Sequence, residues 1–367
     1  MAHYPVTSTS INLLQNVLVT GGCGFLGAHI VKRLLNDVAG APAAVAIVSR
    51  HASARVGQEF ADQSTTYHSV DIADDAAVAA LFERIKPHVV IHISSPKNTS
   101  SAGVLQRTNV EGTKVLLKHA KSYKDTRAFV YTSSDSAQRP SQELLTEDKA
   151  QLWDDMTYNN PYGRAKAAAE NLVLAANGAD LRTATLRIPT IYGENDSNFV
   201  PRIVASMRKG EHTMQLGNNE KLFEFLNVES AAEAHVLAAK ALLRPGEGIG
   251  PNPDGEAYFI TDGKAIPFFD FMRKCYAAGG APVKPEEVRK IPLGVIQVMA
   301  SVGEWAYWIF TLGMRQPEMR RHEIDHLDAG CNWSIDKARV RLGYQPLLDQ
   351  DAAIEKTMKW AMENINS

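Results

Sequence analysis

A chain of 367 residues with 45% hydrophobic and 22% charged side chains can bury a large core and has the make-up of an ordinary globular protein. Its 39 basic and 41 acidic residues leave a formal net charge of −2, which excludes the bulk positive field that nucleic-acid binding relies on. Three widely separated cysteines, Cys23, Cys275 and Cys331, exclude a disulfide framework and fit a reducing compartment.

The first twenty residues lack the basic start and long apolar run of a secretion signal, so a cytoplasmic protein is expected. Short apolar runs then alternate with helical patterns. Strands are predicted at 16–20, 44–48, 66–70, 89–93, 128–132 and 183–188, with helices between them, as at 26–35 and 75–85. A further strand at 257–261 runs into the turn Asp262-Gly263. This is the rhythm of βαβ units, and it predicts an α/β protein with a Rossmann-type, doubly wound parallel sheet. Loops and aromatics become more frequent after Pro189. The expected organisation is a dinucleotide-binding Rossmann domain from 1–187 and 228–263, with a smaller C-terminal substrate-binding cap from 188–227 and 264–367.

The first strand leads directly into Gly21-Gly22-Cys23-Gly24-Phe25-Leu26-Gly27 and a helix. Gly21 suits the tight turn, Gly24 lets a pyrophosphate approach the backbone, and Gly27 lets helix and strand pack closely. The helix start at Phe25 and Leu26 offers N–H donors and a favourable dipole. No Lys-Ser or Lys-Thr follows, so a Walker-type loop is excluded. At the end of the second strand, where an NAD site wants a carboxylate, the chain has Ser49-Arg50. A guanidinium and a hydroxyl there would welcome a 2′-phosphate, which favours NADP(H) over NAD(H). The plainer alternative is that Arg50 stacks on adenine or faces solvent. Asp71-Ile72, after the third strand, sits where side chains meet the adenine ring.

Tyr162-Gly163-Arg164-Ala165-Lys166 opens an alanine-rich helix. Residues four apart share a helix face, so a phenol and an amine project together. A nearby ammonium is expected to lower the phenol's pKa, letting it exchange a proton with a carbonyl or alcohol while hydride moves to or from nicotinamide. Lys166 can also bind the nicotinamide ribose. Upstream, the strand end Tyr131-Thr132-Ser133-Ser134 offers a hydroxyl for the substrate oxygen. Ser134 is the expected one, with Ser133 as the rival, because alternation along a strand turns only one toward the site.

Residues 291–314 form a greasy stretch interrupted by Glu304, with each uncharged run shorter than a spanning helix needs. A buried or amphipathic helix is expected. Trp305, Tyr307, Trp308 and Phe310 leave open a contact with a membrane surface or a greasy substrate. His322-Glu323-Ile324-Asp325-His326 matches the H-E-x-x-H zinc motif literally, but its flanks are charged and Asp325 stands inside it, so no metal site is expected. Cys23 is expected to pack rather than react, no G-x-S-x-G elbow supports a serine hydrolase, and 223–226 is expected to close the substrate or cofactor pocket.

Together these motifs resemble the extended short-chain dehydrogenases: T-G-G-C-G-F-L-G at 20–27, Asp71-Ile72, Asn109-Val110-Glu111-Gly112-Thr113, the Thr-Ser-Ser strand end, Pro161 to Lys166, and Leu186-Arg187 followed by Ile191-Tyr192-Gly193. The later segments 257–263, 267–271, 192–196, 336–338 and 342–344 are most similar to the 3β-hydroxysteroid dehydrogenase group, including sterol-4α-carboxylate 3-dehydrogenases. That resemblance implies interconversion of a ring 3-hydroxyl and 3-ketone on a sterol, triterpenoid or meroterpenoid. Loss of carbon dioxide follows if a 4-carboxylate is present, because the 3-ketone makes it a β-keto acid. It also implies that Ser94 and Ile188 border the cofactor. The chain departs from the pattern at Ser49-Arg50, at Ile188-Pro189-Thr190, where the proline is displaced by one, and at His92-Ile93-Ser94-Ser95-Pro96, where serines replace small apolar residues. The expected partner is a lipophilic small molecule, with a homodimer and peripheral contact with an internal membrane left open. Two alternatives stand beside this reading: an NADPH-dependent reductase of smaller aromatic or polyketide carbonyls, and a non-catalytic NADP(H)-binding regulator.

Overall fold

A computed structural model describes residues 14–37, 40–51, 64–153, 160–244, 251–311 and 321–365, with the backbone alone described at 304–311 and 321–323. Seven strands form one parallel sheet: β1 (Asn16–Thr20), β2 (Ala44–Ser49), β3 (Thr65–Ser69), β4 (Val89–His92), β5 (Ala128–Ser134), β6 (Arg182–Ile188) and β7 (Glu256–Phe259). Their order across the sheet is β3-β2-β1-β4-β5-β6-β7. The order reverses between β1 and β4. There the crossovers leave in opposite directions and open a crevice at the carboxyl ends of the strands, the usual ligand position in such sheets.

Period-two alternation divides the strand side chains between two cores. Val17, Val19, Ile47, Ile91 and Val130 face α1 (Phe25–Leu35) and α6 (Val228–Leu243). Leu18, Val48, Val90, Phe129 and Tyr131 face α2 (Asp75–Ile85), α3 (Gly112–Ser122) and α4 (Pro161–Ala175). The sequence sets these helices locally. Asp74 caps α2, its carboxylate accepting from the Ala77 N–H at 3.0 Å, and Asn227 caps α6 through the Glu229 N–H at 3.0 Å. Alanine at 231, 232, 234, 238 and 239 lets α6 lie close to the sheet.

Strand ends differ from expectation by one or two residues, and the reasons are local. β5 continues to Ser134 because Ser133 and Ser134 still pair with Arg187 and Ile188. β7 stops at Phe259, and the chain then turns as the Thr261 hydroxyl accepts from the Gly263 N–H at 2.9 Å.

Beyond β6, the short strands Thr190–Tyr192 and Phe225–Asn227 pair in parallel. They bring α5 (Phe199–Arg208), α7 (Phe268–Ala278) and, from the end of the chain, Gln350–Asn364 around a third core. Phe225 and Phe271 stack at its centre with ring centroids 3.7 Å apart. The division at residue 264 is not clean. Ile335, Ala338, Leu342 and Tyr344 pack into the sheet's own core, and Lys337 and Arg341 both pair with Glu256 on β7.

The helix α8 (Leu293–Thr311) is apolar on both faces over most of its described side chains, so the expected amphipathic pattern does not hold there. Ile296 and Ala300 pack against Ile324, whereas Val295, Val298, Met299 and Val302 are exposed. No helix among the described residues is long and apolar enough to cross a membrane. Trp305, Tyr307, Trp308 and Phe310 lie outside the described side chains, as do His322 and Glu323 of the zinc-like motif. No group of three metal-ligating side chains occurs among the described residues.

Candidate active site

The loop after β1 is shaped by its glycines. Gly21 has φ +76°, and its N–H donates to the Val48 carbonyl at 2.7 Å. A Cβ at Gly27 would stand 2.2 Å from the Gly21 carbonyl oxygen and 2.6 Å from the Gly22 Cα, so only glycine fits this backbone crossing. The loop opens onto a cavity of about 470 Å³ at the reversal point. Gly21, Gly24, Phe25, Leu26 and Gly27 form one wall, Ser49 and Arg50 another, and Asp71, Ile72 and Ser94 a third. These residues fit a dinucleotide: a helix N-terminus without first-turn acids faces the space, and the volume is of the right order. Arg50 is exposed on the rim. Asp71 accepts from the Ala73 N–H at 3.0 Å and pairs with Arg107 at 2.5 Å, and both contacts hold its carboxyl below the usual range. Ile188 ends β6 opposite Ser134, and its side chain joins the core beneath the crevice. Burial pushes the Cys23 thiol up, against the Ser49 hydroxyl, which suits a packing role.

At the far end of the crevice, Asn160 caps α4, its side-chain oxygen accepting from the N–H groups of Tyr162 and Gly163 at 3.1 Å each, and Pro161 starts the first turn. This fixes Tyr162 and Lys166 on the helix face toward β5. Lys166 is 2% exposed and donates from Nζ to the Thr132 carbonyl at 2.7 Å. Burial brings its ammonium down to about 7, and Glu170 acts in the opposite sense. Two imidazoles flank it. His92 bridges the Thr20 and Thr113 hydroxyls at 2.7 and 2.9 Å, and His235 bridges the Thr132 hydroxyl and the Ala231 carbonyl at 2.7 Å each. Burial lowers both, to about 3 and about 4, so they remain neutral and add no positive charge beside Lys166.

The expected lowering of the Tyr162 pKa is not what the protein shows. Burial raises the phenol to about 12, while the hydroxyls of Ser134 and Ser95 act against it. The ammonium is spent on Thr132 and lies 5.9 Å from the phenol ring centre, too far and too nearly neutral to offset desolvation. Between the two candidate serines, Ser134 opens toward Tyr162, whereas Ser133 is 1% exposed with its hydroxyl unpartnered inside the sheet.

Tyr162 lines a second cavity of about 290 Å³ with Asp135, Thr190, Arg202, Phe223, Glu224, Phe225, Phe268, His326 and Leu327. Phe223, Phe268 and Leu327 are also walls of a third cavity of about 370 Å³ that reaches Ile291 and Leu293. Tyr162 therefore faces a cavity of mixed lining, in which four apolar side chains stand beside Asp135, Thr190, Arg202, Glu224 and His326.

A model of the 3-beta hydroxysteroid dehydrogenase/isomerase family matches residues 18–289. The chain belongs to this family. As a 3-beta hydroxysteroid dehydrogenase family member it is a nicotinamide-dependent oxidoreductase. Among its relatives, the decarboxylating sterol-4-alpha-carboxylate 3-dehydrogenase of Gibberella zeae is 52% identical over 297 residues, covering 80% of this chain and 97% of its own length. That of Schizosaccharomyces pombe is 31% identical over 347 residues, covering 95% and 97%. In structure, the dTDP-glucose 4,6-dehydratase DesIV of Streptomyces venezuelae, solved with NAD, superposes with a TM-score of 0.71 at 21% identity over 95% of this chain and 98% of that one. The UDP-glucuronic acid 4-epimerase of Bacillus cereus, also with NAD, gives 0.70 at 17% identity over 95% and 99%. These two show the fold.

The family motifs left several cavity residues unmarked. Asp135 directly follows the strand-end serines, and Glu224 is a carboxylate set between two buried phenylalanines. Glu224 carried a readable signal, since a carboxylate flanked by apolar residues on both sides is rarely buried without a role. Arg202 and His326 gave none, because they reach the cavity only through tertiary packing.

Proposed function

We propose that this protein oxidises the 3-hydroxyl of a sterol bearing a 4-carboxylate to the 3-ketone, and that carbon dioxide is then lost from C-4. The observation that carries this is the position of Tyr162 in a cavity that sets Phe223, Phe225, Phe268 and Leu327 beside the guanidinium of Arg202, walls suited to an apolar ring system bearing an acidic group. The 52% identity to a sterol-4-alpha-carboxylate 3-dehydrogenase supports it.

In this reading the cofactor supplies the hydride acceptor. Ser134 holds the substrate oxygen and Tyr162 takes its proton as the C3–H bond breaks. Lys166 binds the ribose and, once a ligand draws it from Thr132, stabilises the phenolate. The new ketone makes the 4-carboxylate part of a β-keto acid. The C4–carboxyl bond then breaks, its electron pair passes to the enolate, carbon dioxide leaves, and a proton returns to C-4.

Gly21, Gly24, Phe25, Leu26 and Gly27 hold the pyrophosphate in this assignment, Asp71 and Ile72 border the adenine, and Ser94 and Ile188 border the nicotinamide end. Ser49 and Arg50 favour NADP(H), since a guanidinium and a hydroxyl stand where a carboxylate would otherwise exclude a 2′-phosphate. In this assignment the dinucleotide-binding part is the segment up to 187 with 228–263, and the substrate cap is drawn from 188–227 and 264–367, apart from 335–344, which joins the sheet's core. Incubation with a sterol 4α-carboxylate and each cofactor, followed by mass spectrometry, tests the proposal. The expected product is the 3-ketosterol lacking the carboxyl carbon. Reduced cofactor without that ketone, or no turnover of any 3-hydroxysterol, sinks it.

A further inference from the structure

We infer that Arg202 recognises the carboxylate beside the reacting hydroxyl, and so selects the acid substrate over its 4-unsubstituted counterpart. This rests on the sterol-carboxylate reading above and assigns its selectivity to one side chain.

Arg202 lies in the first turn of α5 and lines the same cavity as Tyr162 and Thr190. Its side chain is exposed, and among the described residues it has neither an ion pair nor a hydrogen bond. Arg33 pairs with Glu233, Arg107 with Asp71, Arg187 with Glu170, and Arg341 with Glu256, whereas Arg202 is the arginine that lines the cavity beside Tyr162. The cavity's own carboxyls do not neutralise it. Asp135 and Glu224 are both buried, and burial pushes both toward the uncharged form, Glu224 to about 7. The Glu224 Oε2 also lacks a hydrogen-bond partner.

Four of the walls, Phe223, Phe225, Phe268 and Leu327, are apolar and offer contact to a ring system. An apolar ligand covering an unpaired guanidinium would strip its water and return nothing. A carboxylate restores the lost contacts with two charge-assisted hydrogen bonds in the planar geometry that arginine favours. C-3 and C-4 of the ring are bonded neighbours, so a group at C-4 stands close to the oxygen held by Tyr162. Loss of carbon dioxide removes the anion and with it this contact, which favours release of the ketone.

The test compares a sterol 4α-carboxylate with the matching 4-unsubstituted 3β-hydroxysterol for the wild type, Arg202→Gln and Arg202→Lys. In Arg202→Gln the acid-to-neutral ratio of kcat/KM is expected to fall about 10- to 100-fold, mainly through KM, the range of a charge-assisted contact. Arg202→Lys keeps an intermediate ratio. Affinity for the acid in the presence of reduced cofactor, read by tryptophan fluorescence, falls by the same factor. A ratio unmoved in Arg202→Gln, or an equal loss on both sterols, overturns this inference alone. Failure of the wild type to oxidise either sterol overturns the functional reading and the inference with it.

Discussion

Lys166 stands one helical turn from Tyr162, yet its ammonium donates to the Thr132 carbonyl at 2.7 Å and lies 5.9 Å from the centre of the phenol ring. The pair is therefore poised rather than engaged. A phenol pushed up to about 12 and an amine held near 7 leave little phenolate at neutral pH until positive charge arrives beside them.

Tyr162→Phe removes the proton acceptor and leaves the glycine loop untouched. Turnover is expected to fall by about 10²- to 10⁴-fold, the usual contribution of general acid–base catalysis. Cofactor affinity, followed by fluorescence titration, should change by less than about threefold, because the ring loses only a hydroxyl. Retention of most activity would place the chemistry elsewhere.

Arg50 lies on the cofactor cavity's rim with Ser49. Arg50→Ala is expected to weaken NADPH by about 10-fold or more while changing NADH by less than about threefold, since one charge-assisted contact to a phosphate is lost. Equal losses for the two cofactors in parallel titrations would remove Arg50 from phosphate recognition.

Gly27→Ala puts a Cβ 2.2 Å from a backbone oxygen, and no side-chain rotation relieves that contact. The loop must shift, and cofactor-induced thermal stabilisation should be lost. A variant with the wild-type melting shift on adding NADPH would contradict the close crossing.

Glu224 gives a pH signature. Its folded pKa is raised from 4.5 to about 7 by burial. The folded state thus holds a proton that the unfolded state releases between these values, and stability from this group is full below pH 4.5 and lost as pH rises through about 7. Urea unfolding should show the wild type losing about 3 kcal/mol relative to Glu224→Gln across that window. Parallel curves for the two proteins would mean that the carboxyl is not held neutral.

The elements legible in advance were those whose information is local. Short apolar runs marked the sheet strands to within two residues, because six of the seven are buried on both faces, β3 at the edge being only partly buried. The glycine loop and the Tyr162/Lys166 spacing were visible for the same reason: their geometry is set within a few residues. Thr190–Tyr192 and Phe225–Asn227 were not legible as strands, since three residues cannot display a period. The state of the phenol was misjudged because proximity in a helix says nothing about where the ammonium points or how much water remains. Arg202, Glu224 and His326 come from three distant segments, and only packing brings them to one wall.

The order in which the sheet is completed has a consequence for synthesis. β7 pairs with β6 only after some seventy intervening residues, and Ile335, Ala338, Leu342 and Tyr344 seal its core later still. A nascent chain paused before Glu256 therefore carries an open, apolar β6 edge at the ribosome. At roughly 5–20 residues per second, that edge waits for several seconds before its partner emerges. An exposed parallel edge invites pairing with other chains, so chaperone dependence during translation should concentrate in this interval, and slowing the codons between 189 and 255 should raise aggregation.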